Sequence, residues 1–250
     1  EIAQCLVGSE MCIRDSRYVD PENIMIPSCK ITELYDYVSY TNISGLDLNS
    51  ETPNQPVDMK SIAGYTNNVY CSPQNLYVVS GYDESEITRF SVSGGAVAPQ
   101  ASGKVNGYVN DQFSMSEYNG FFRIAVTENV WEESTVFAEE DSSIATNALV
   151  TQKNSLYVLD MDMKVVGSIS DFGINEQIKS VNFSGDTAYA VTFRQTDPLY
   201  AIDLSNPYSP VMLDELKISG YSSYMQKWGD GLLLGFGAEA DEDLSLIHIS

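Results

Sequence analysis

Thirty-five aspartates and glutamates are the most abundant chemistry in this 250-residue chain, set against thirteen lysines and arginines, one histidine and four cysteines. Each catalytic scheme needs particular side chains. A nucleophile activated by imidazole needs a histidine to take its proton, and His248 is the only one. A structural zinc site needs three or four cysteine, histidine or carboxylate ligands, usually at short spacing, and Cys5, Cys12, Cys29 and Cys71 do not offer that spacing. No glycine-rich phosphate-binding run is present. What remains is carboxylate chemistry. Two carboxyl groups on opposite sides of a glycosidic bond suffice to hydrolyse it. Hard cations such as Ca2+ take several carboxylate oxygens. The acidic groups Asp83-Glu84-Glu86, Asp160-Asp162 and Glu239-Asp241-Glu242-Asp243 are therefore candidates for Ca2+, although none has the spacing of a dedicated calcium loop and solvated turn charges are the simpler reading.

The two ends change this inventory. Leu6–Ser16 (LVGSEMCIRDS) resembles the translation of a transposon-based sequencing adapter, and Leu244–Ser250 (LSLIHIS) resembles the translation of its opposite strand. On this reading residues 1–16 and 244–250 are adapter-derived, and the chain is a fragment whose own sequence runs from Arg17 to Asp243. His248, Cys5 and Cys12 then drop out, leaving Cys29 and Cys71 as a candidate disulfide in an oxidising compartment.

The charge is −22 for the whole chain and stays near −20 without the adapter-like ends. Such a field repels nucleic acid and anionic membrane surfaces. A membrane link is expected only through parts of the protein outside this chain. Tyrosine-rich, lysine-poor composition with many small polar residues reads as an extracellular or cell-surface β-protein.

Elements that position these residues recur at fixed spacing. The runs Ile43–Leu48, Ile87–Val92, Leu156–Asp160 and Leu199–Asp203 are short, apolar and closed by a small or acidic residue. Asp47 to Ser91 is 44 positions and Asp160 to Asp203 is 43, the length of one four-stranded propeller blade. The middle step of 69 positions marks an insertion, 128–146, that carries Trp131, Glu132, Glu133, Phe137, Glu139, Glu140 and Asp141. An inserted acidic loop with aromatics is either a binding element or a linker. Runs such as Ala188–Val191 are apolar on both faces, as expected of strands sandwiched between sheets.

The expected fold is all-β: a β-propeller of about four four-stranded blades, forming an incomplete arc of a larger propeller. The repeat divides 39–243 into units 39–80, 84–150 (with the insertion), 151–194 and 195–240, preceded by a loop, 17–38, from an earlier blade. The terminal blades of such an arc expose apolar faces. Arg194 and Asp197, in the turn after Phe193, are read as a structural ion pair, and Asp47, Asp160 and Asp203 as acceptors that close turns.

The segments Phe113–Ala125 (FSMSEYNGFFRIA), Ser180–Phe193 (SVNFSGDTAYAVTF), Thr192–Pro207 (TFRQTDPLYAIDLSNP), Asp214–Tyr224 (DELKISGYSSY) and Leu232–Gly237 (LLLGFG) resemble a family of secreted bacterial and archaeal proteins with a C-terminal β-propeller, distantly related to WD40 repeats. Tyr40–Leu48 and Asn68–Val79 join the similarity more weakly. The resemblance implies a propeller and an extracellular or cell-surface location, and no particular reaction. Met225-Gln226-Lys227 stands where such proteins tend to carry Leu-His-Pro. The expected function is a non-catalytic binding or scaffold module for a protein or glycan, without a cofactor. The alternative is a carbohydrate-active enzyme, a glycoside hydrolase or lyase, with its carboxylates in a central channel.

Overall fold

A computed structural model describes residues 7–8, 24–25, 40–51, 55–138, 142–193, 197–218, 221–229, 232–240 and 246–247. Among them the regular structure is strand, apart from one short 3-10 turn at Gln112–Ser114. The chain divides into two compact units, Glu1–Gly81 with Glu86–Lys104, and Tyr82–Ser85 with Val105–Ser250.

In the first unit, β1 (Val7–Gly8), β2 (Ile24–Met25), β3 (Tyr40–Leu46) and β4 (Pro56–Ala63) form a sheet ordered β1-β3-β4-β2. The next sheet is an up-and-down meander of β5 (Asn68–Cys71), β6 (Asn75–Ser80), β7 (Glu84–Ser93) and β8 (Ala96–Asn106). The first sheet is mixed, because β2 pairs parallel with Ser61 and Ile62 of β4. Thus 17–38, expected as loop, contributes a short strand. The adapter-like segments also pair: β1 lies against Ile43 and Asn42, and Leu246–Ile247 lies against Ala240 and Glu239. An open sheet edge accepts any extended backbone, so these pairings report the edges rather than the origin of the segments.

The second unit has two further four-stranded meanders. One holds β9 (Met115–Tyr118), β10 (Phe121–Ala138), β11 (Ser142–Leu159) and β12 (Val165–Phe172). The other holds β13 (Gln177–Ser184), β14 (Thr187–Phe193), β15 (Asp197–Asp203) and β16 (Val211–Ile218). A last sheet has β17 (Tyr221–Lys227), β18 (Leu233–Ala240) and β19 (Leu246–Ile247).

Burial on both faces of the inner strands explains their apolar runs. Leu76, Val78 and Phe90 of the second sheet pack with Ile43 and Ile62 of the first. In the second unit, Ala125, Leu156, Val158 and Phe172 pack with Ile178, Val181, Ala188, Ala190 and Ile202. Full burial of one such side chain stabilises by about 1.5–3 kcal/mol. The sheets also come very close. A Cβ on Gly45 would sit 1.8 Å from the Gly95 carbonyl oxygen, and one on Gly167 would sit 2.2 Å from that of Pro207.

The repeat is present, but the hydrogen-bonded sheets are out of phase with the units read from sequence. Unit 151–194 joins β11 and β12 of one sheet to β13 and β14 of the next. The cause is the marker used to count. Asp160 and Asp203 close the third strands of their meanders and turn the chain into the fourth: Asp160 Oδ1 accepts from the N–H of Asp162 and of Lys164, both at 2.9 Å, and Asp203 Oδ1 from Ser205 N–H at 2.8 Å. Asp47 does the same between β3 and β4, accepting from Asn49 N–H at 2.9 Å. The turn-closing role expected for these three aspartates is what the structure shows. Where the marker is Ser91, the β7–β8 turn is instead made by Gly94 and Gly95 at φ 56 and 81, a conformation glycine adopts without strain.

The described residues of the 128–146 insertion, read from sequence as a loop, are strand. They lengthen β10 and β11 into one paired ribbon that runs to Ala138 opposite Ser142. Its β-branched and aromatic residues favour extended backbone, and its partner strand is adjacent in sequence.

Candidate interaction surface

The sequence candidates scatter. Cys29 of the candidate disulfide and Arg194 of the candidate ion pair lie outside the described residues. The Cys71 thiol donates to the Ser72 carbonyl at 3.4 Å. Asp197 opens β15. Asp160 and Asp162 sit in the β11–β12 turn described above, and Lys164 lies 3.6 Å from Asp162 in an exposed pair. Asp83 uses its backbone carbonyl to accept from Gly107 N–H at 2.8 Å. Glu239 lies on β18, while 241–243 are outside the described residues. Among the described residues, no three histidines, cysteines or carboxylates gather as a metal site would require. Glu86 lines a recess in the first unit with Tyr65, Thr66, Ser80 and Thr88; its volume of about 10 Å³ holds no more than a water.

The structure instead brings together residues that were not singled out. At the seam between β9–β12 and β13–β16, Asn154 is fully buried. Its amide nitrogen shares two hydrogens among the carbonyls of Phe172, Gly173 and Glu176 at 3.0–3.1 Å. Its amide oxygen accepts from the Thr127 hydroxyl at 2.7 Å, and Thr127 in turn accepts from Ile178 N–H at 3.1 Å. Thr192 donates to the Glu176 carboxylate at 2.5 Å. Next to them, burial raises the Tyr200 phenol above its ordinary value, and the charges of Glu215 and Glu176 raise it further. Most buried polar groups in folded proteins are paired in this way.

Arg123 crosses the same seam. It is 4 % exposed, its guanidinium lies 4.9 Å from the Tyr118 ring and 4.8 Å from the Phe183 ring, and it donates to the Gly185 carbonyl and, at 2.7 Å, to Ser116 Oγ. A sequence signal existed: an arginine inside the apolar run Phe121-Phe122-Arg123-Ile124-Ala125 must be buried with its strand and therefore partnered.

The corresponding seam of the first unit uses Asp58. Burial pushes its carboxyl up, but the Lys60 ammonium at 2.6 Å and the backbone N–H groups of Val97 and Met59 outweigh that and hold it below the ordinary range. The Val97 bond, 3.0 Å, ties β4 to β8.

Two further features belong to the second unit. On β16, on β18 and between β17 and β18 stand Leu213, Leu216, Trp228, Leu232 and Phe236, each more than half exposed. Phe113 and Tyr224 stack edge-on at 5.1 Å, with Phe236 6.1 Å from Tyr224. The other feature is the β10–β11 ribbon. Its root is fixed: Lys153 pairs with Glu128 at 3.3 Å and Asp171 at 3.4 Å, Gln152 donates to Asn129 at 2.8 Å, and Thr151 donates to Asn175 at 2.8 Å. The Glu128 carboxylate, ahead of Asp171, raises the Lys153 ammonium above its ordinary value.

An uncharacterized protein of Methanocaldococcus jannaschii is 42% identical over 151 residues, which are 60% of this chain and 22% of that protein. An uncharacterized protein of Archaeoglobus fulgidus is 38% identical over 169 residues, 67% of this chain and 23% of that protein. The chain thus spans less than a quarter of the length of these relatives. A family model described as a beta propeller domain matches residues 13–247. With its tandem meanders and that match over nearly its whole length, this chain belongs to the beta propeller domain family.

Proposed function

We propose that this chain is a non-catalytic binding or scaffold module, acting outside the cell or at its surface on a protein or glycan. One observation carries the reading: buried polar groups of the second unit are engaged in holding backbone carbonyls across a seam, while a long acidic ribbon is built off one of the sheets so joined. Rigid scaffolds that present elaborated loops or hairpins are how such folds recognise partners. The net charge of −22 favours cationic or cation-bridged partners and disfavours nucleic acid and anionic lipid. The secreted character of the proteins it resembles, together with its composition, supports the location.

The test immobilises the full chain and presents a panel of polysaccharides and of acidic, neutral and basic proteins, while soluble chain is assayed for new reducing ends on the same polysaccharides. Saturable binding without product release is the expected result. Release of reducing ends that disappears when a pair of carboxylates is changed to amides would overturn it in favour of a glycosidase.

A further inference from the structure

The pairing of β10 with β9 covers only Phe121–Ile124, and that of β11 with β12 only Asn154–Leu159, yet β10 and β11 remain paired out to Ala138 opposite Ser142. Beyond the bond from Asn175 N–H to the Gln152 carbonyl, from Trp131 outward, the ribbon is two strands wide, and its eight β10 residues extend about 26 Å at roughly 3.3 Å per residue. A two-stranded hairpin is marginal in water by itself. Among the described residues no third strand pairs with this stretch, and an edge without a neighbouring strand offers backbone N–H and C=O groups for pairing. A β-bulge falls between Val130 and Trp131, where the ribbon leaves its root, and the Trp131 side chain is 51% exposed. Tryptophan is prominent among residues that anchor protein interfaces.

Charge selects the occupant. Glu132 and Glu133 lie on β10 beyond the Lys153–Glu128 pair, and no lysine or arginine occurs from 124 to 152. A second copy of the ribbon would bring the same sign and be repelled, as would nucleic acid. We propose that the β10–β11 ribbon docks a cationic protein, whose lysine- or arginine-rich extended segment adds to an open edge as a third strand. Main-chain pairing supplies affinity, and the glutamates select the sign of the partner. This rests on the binding-module reading and deepens it by naming the partner's chemistry.

The chain has two tryptophans, so Trp228→Phe leaves Trp131 as the sole fluorophore in the full-length protein. The probe is an alternating Lys-Val peptide, titrated at low salt. A saturable shift in Trp131 emission is expected, weakened at least about ten-fold by Glu132→Gln with Glu133→Gln and by raising the salt to where charges are screened. Neutralising the same number of charges on β16, Asp214→Asn with Glu215→Gln, should leave affinity within about two-fold, because the contacts are local. A second variant joins Asn129 to Gln152 through an Asn-Gly turn. It should keep the parent's melting temperature and lose peptide binding by calorimetry. Equal binding by the parent and the shortened or neutralised variants, or no saturable binding by the parent, overturns the ribbon assignment. If the parent ignores the cationic peptide but captures another member of the panel above, the ribbon proposal falls and the binding-module reading stands.

Discussion

The seam of the first unit and the seam of the second solve one problem with opposite chemistry. Both press one sheet against the next closely enough to require a glycine, Gly45 against the Gly95 carbonyl and Gly167 against that of Pro207. In the first unit the polar tie is Asp58, which holds Lys60 and the Val97 N–H, with about a quarter of its side chain still in solvent. In the second, the ties are Asn154, Thr127 and Arg123, all nearly or fully buried. A partly solvated ion pair contributes little and responds to pH and salt. A buried amide satisfying several carbonyls is insensitive to both, but its loss orphans every partner at once. The comparison teaches that a repeated architecture fixes where adjacent sheets meet, while each seam is closed by whatever side chains its sequence supplies.

Perturbations should separate the two seams in a definite order. The steric requirement is shared, so Gly45→Ala and Gly167→Ala should be the most damaging. Each drives a Cβ into a backbone oxygen and should cost more than about 4 kcal/mol or prevent folding, read by denaturant melts and soluble yield. Equal tolerance of alanine at both positions would show that the seams are looser than described. Asn154→Ala should follow at about 3 kcal/mol, because the Phe172, Gly173 and Glu176 carbonyls and the Thr127 hydroxyl lose their partner together. Asp58→Ala, its counterpart in the first unit, should cost about 1 kcal/mol or less. Arg123→Met keeps apolar volume between Tyr118 and Phe183 but strands the Gly185 carbonyl, for about 2 kcal/mol.

The smallest effect sharpens the contrast by pH. Asp58 is held below its ordinary value of 3.8 in the fold, so its contribution is complete above that value and fades as pH falls through the folded value. Tyr200 is held above its ordinary value of 10.0, so its contribution is complete below that and fades as pH rises toward the folded value. Segment-resolved hydrogen exchange should therefore show the first seam loosening in acid and the second in alkali. Asp58→Asn and Tyr200→Phe should each remove one arm of this profile and leave the other.

Much of this was legible in the residues. The 43- and 44-position spacing, the doubly apolar strands and the turn aspartates are local, repeated signals, and each reappears as a strand or a turn. The seam residues were not legible in the same way. Asn154 follows Thr151-Gln152-Lys153 in a polar run without an apolar residue to mark burial. Only the fold brings it within reach of carbonyls some twenty positions onward and of Thr127 on the neighbouring strand. The insertion was visible as excess length and acidity. That it became a continuous ribbon depended on pairing between its two halves, in a register that alternation alone did not set.

The sequence by itself determined that the chain builds four-stranded sheets in tandem, where the turns closed by Asp47, Asp160 and Asp203 fall, and the sign of its surface charge. These follow from period, glycine and aspartate placement, and composition, which need no long-range contact. Tertiary structure decided the phase of the sheets, the residues that lock one sheet to the next, and the shape of the ribbon. A periodic pattern has no origin of its own, and which strand begins a sheet is settled only when distant strands exchange hydrogen bonds and bury their shared face.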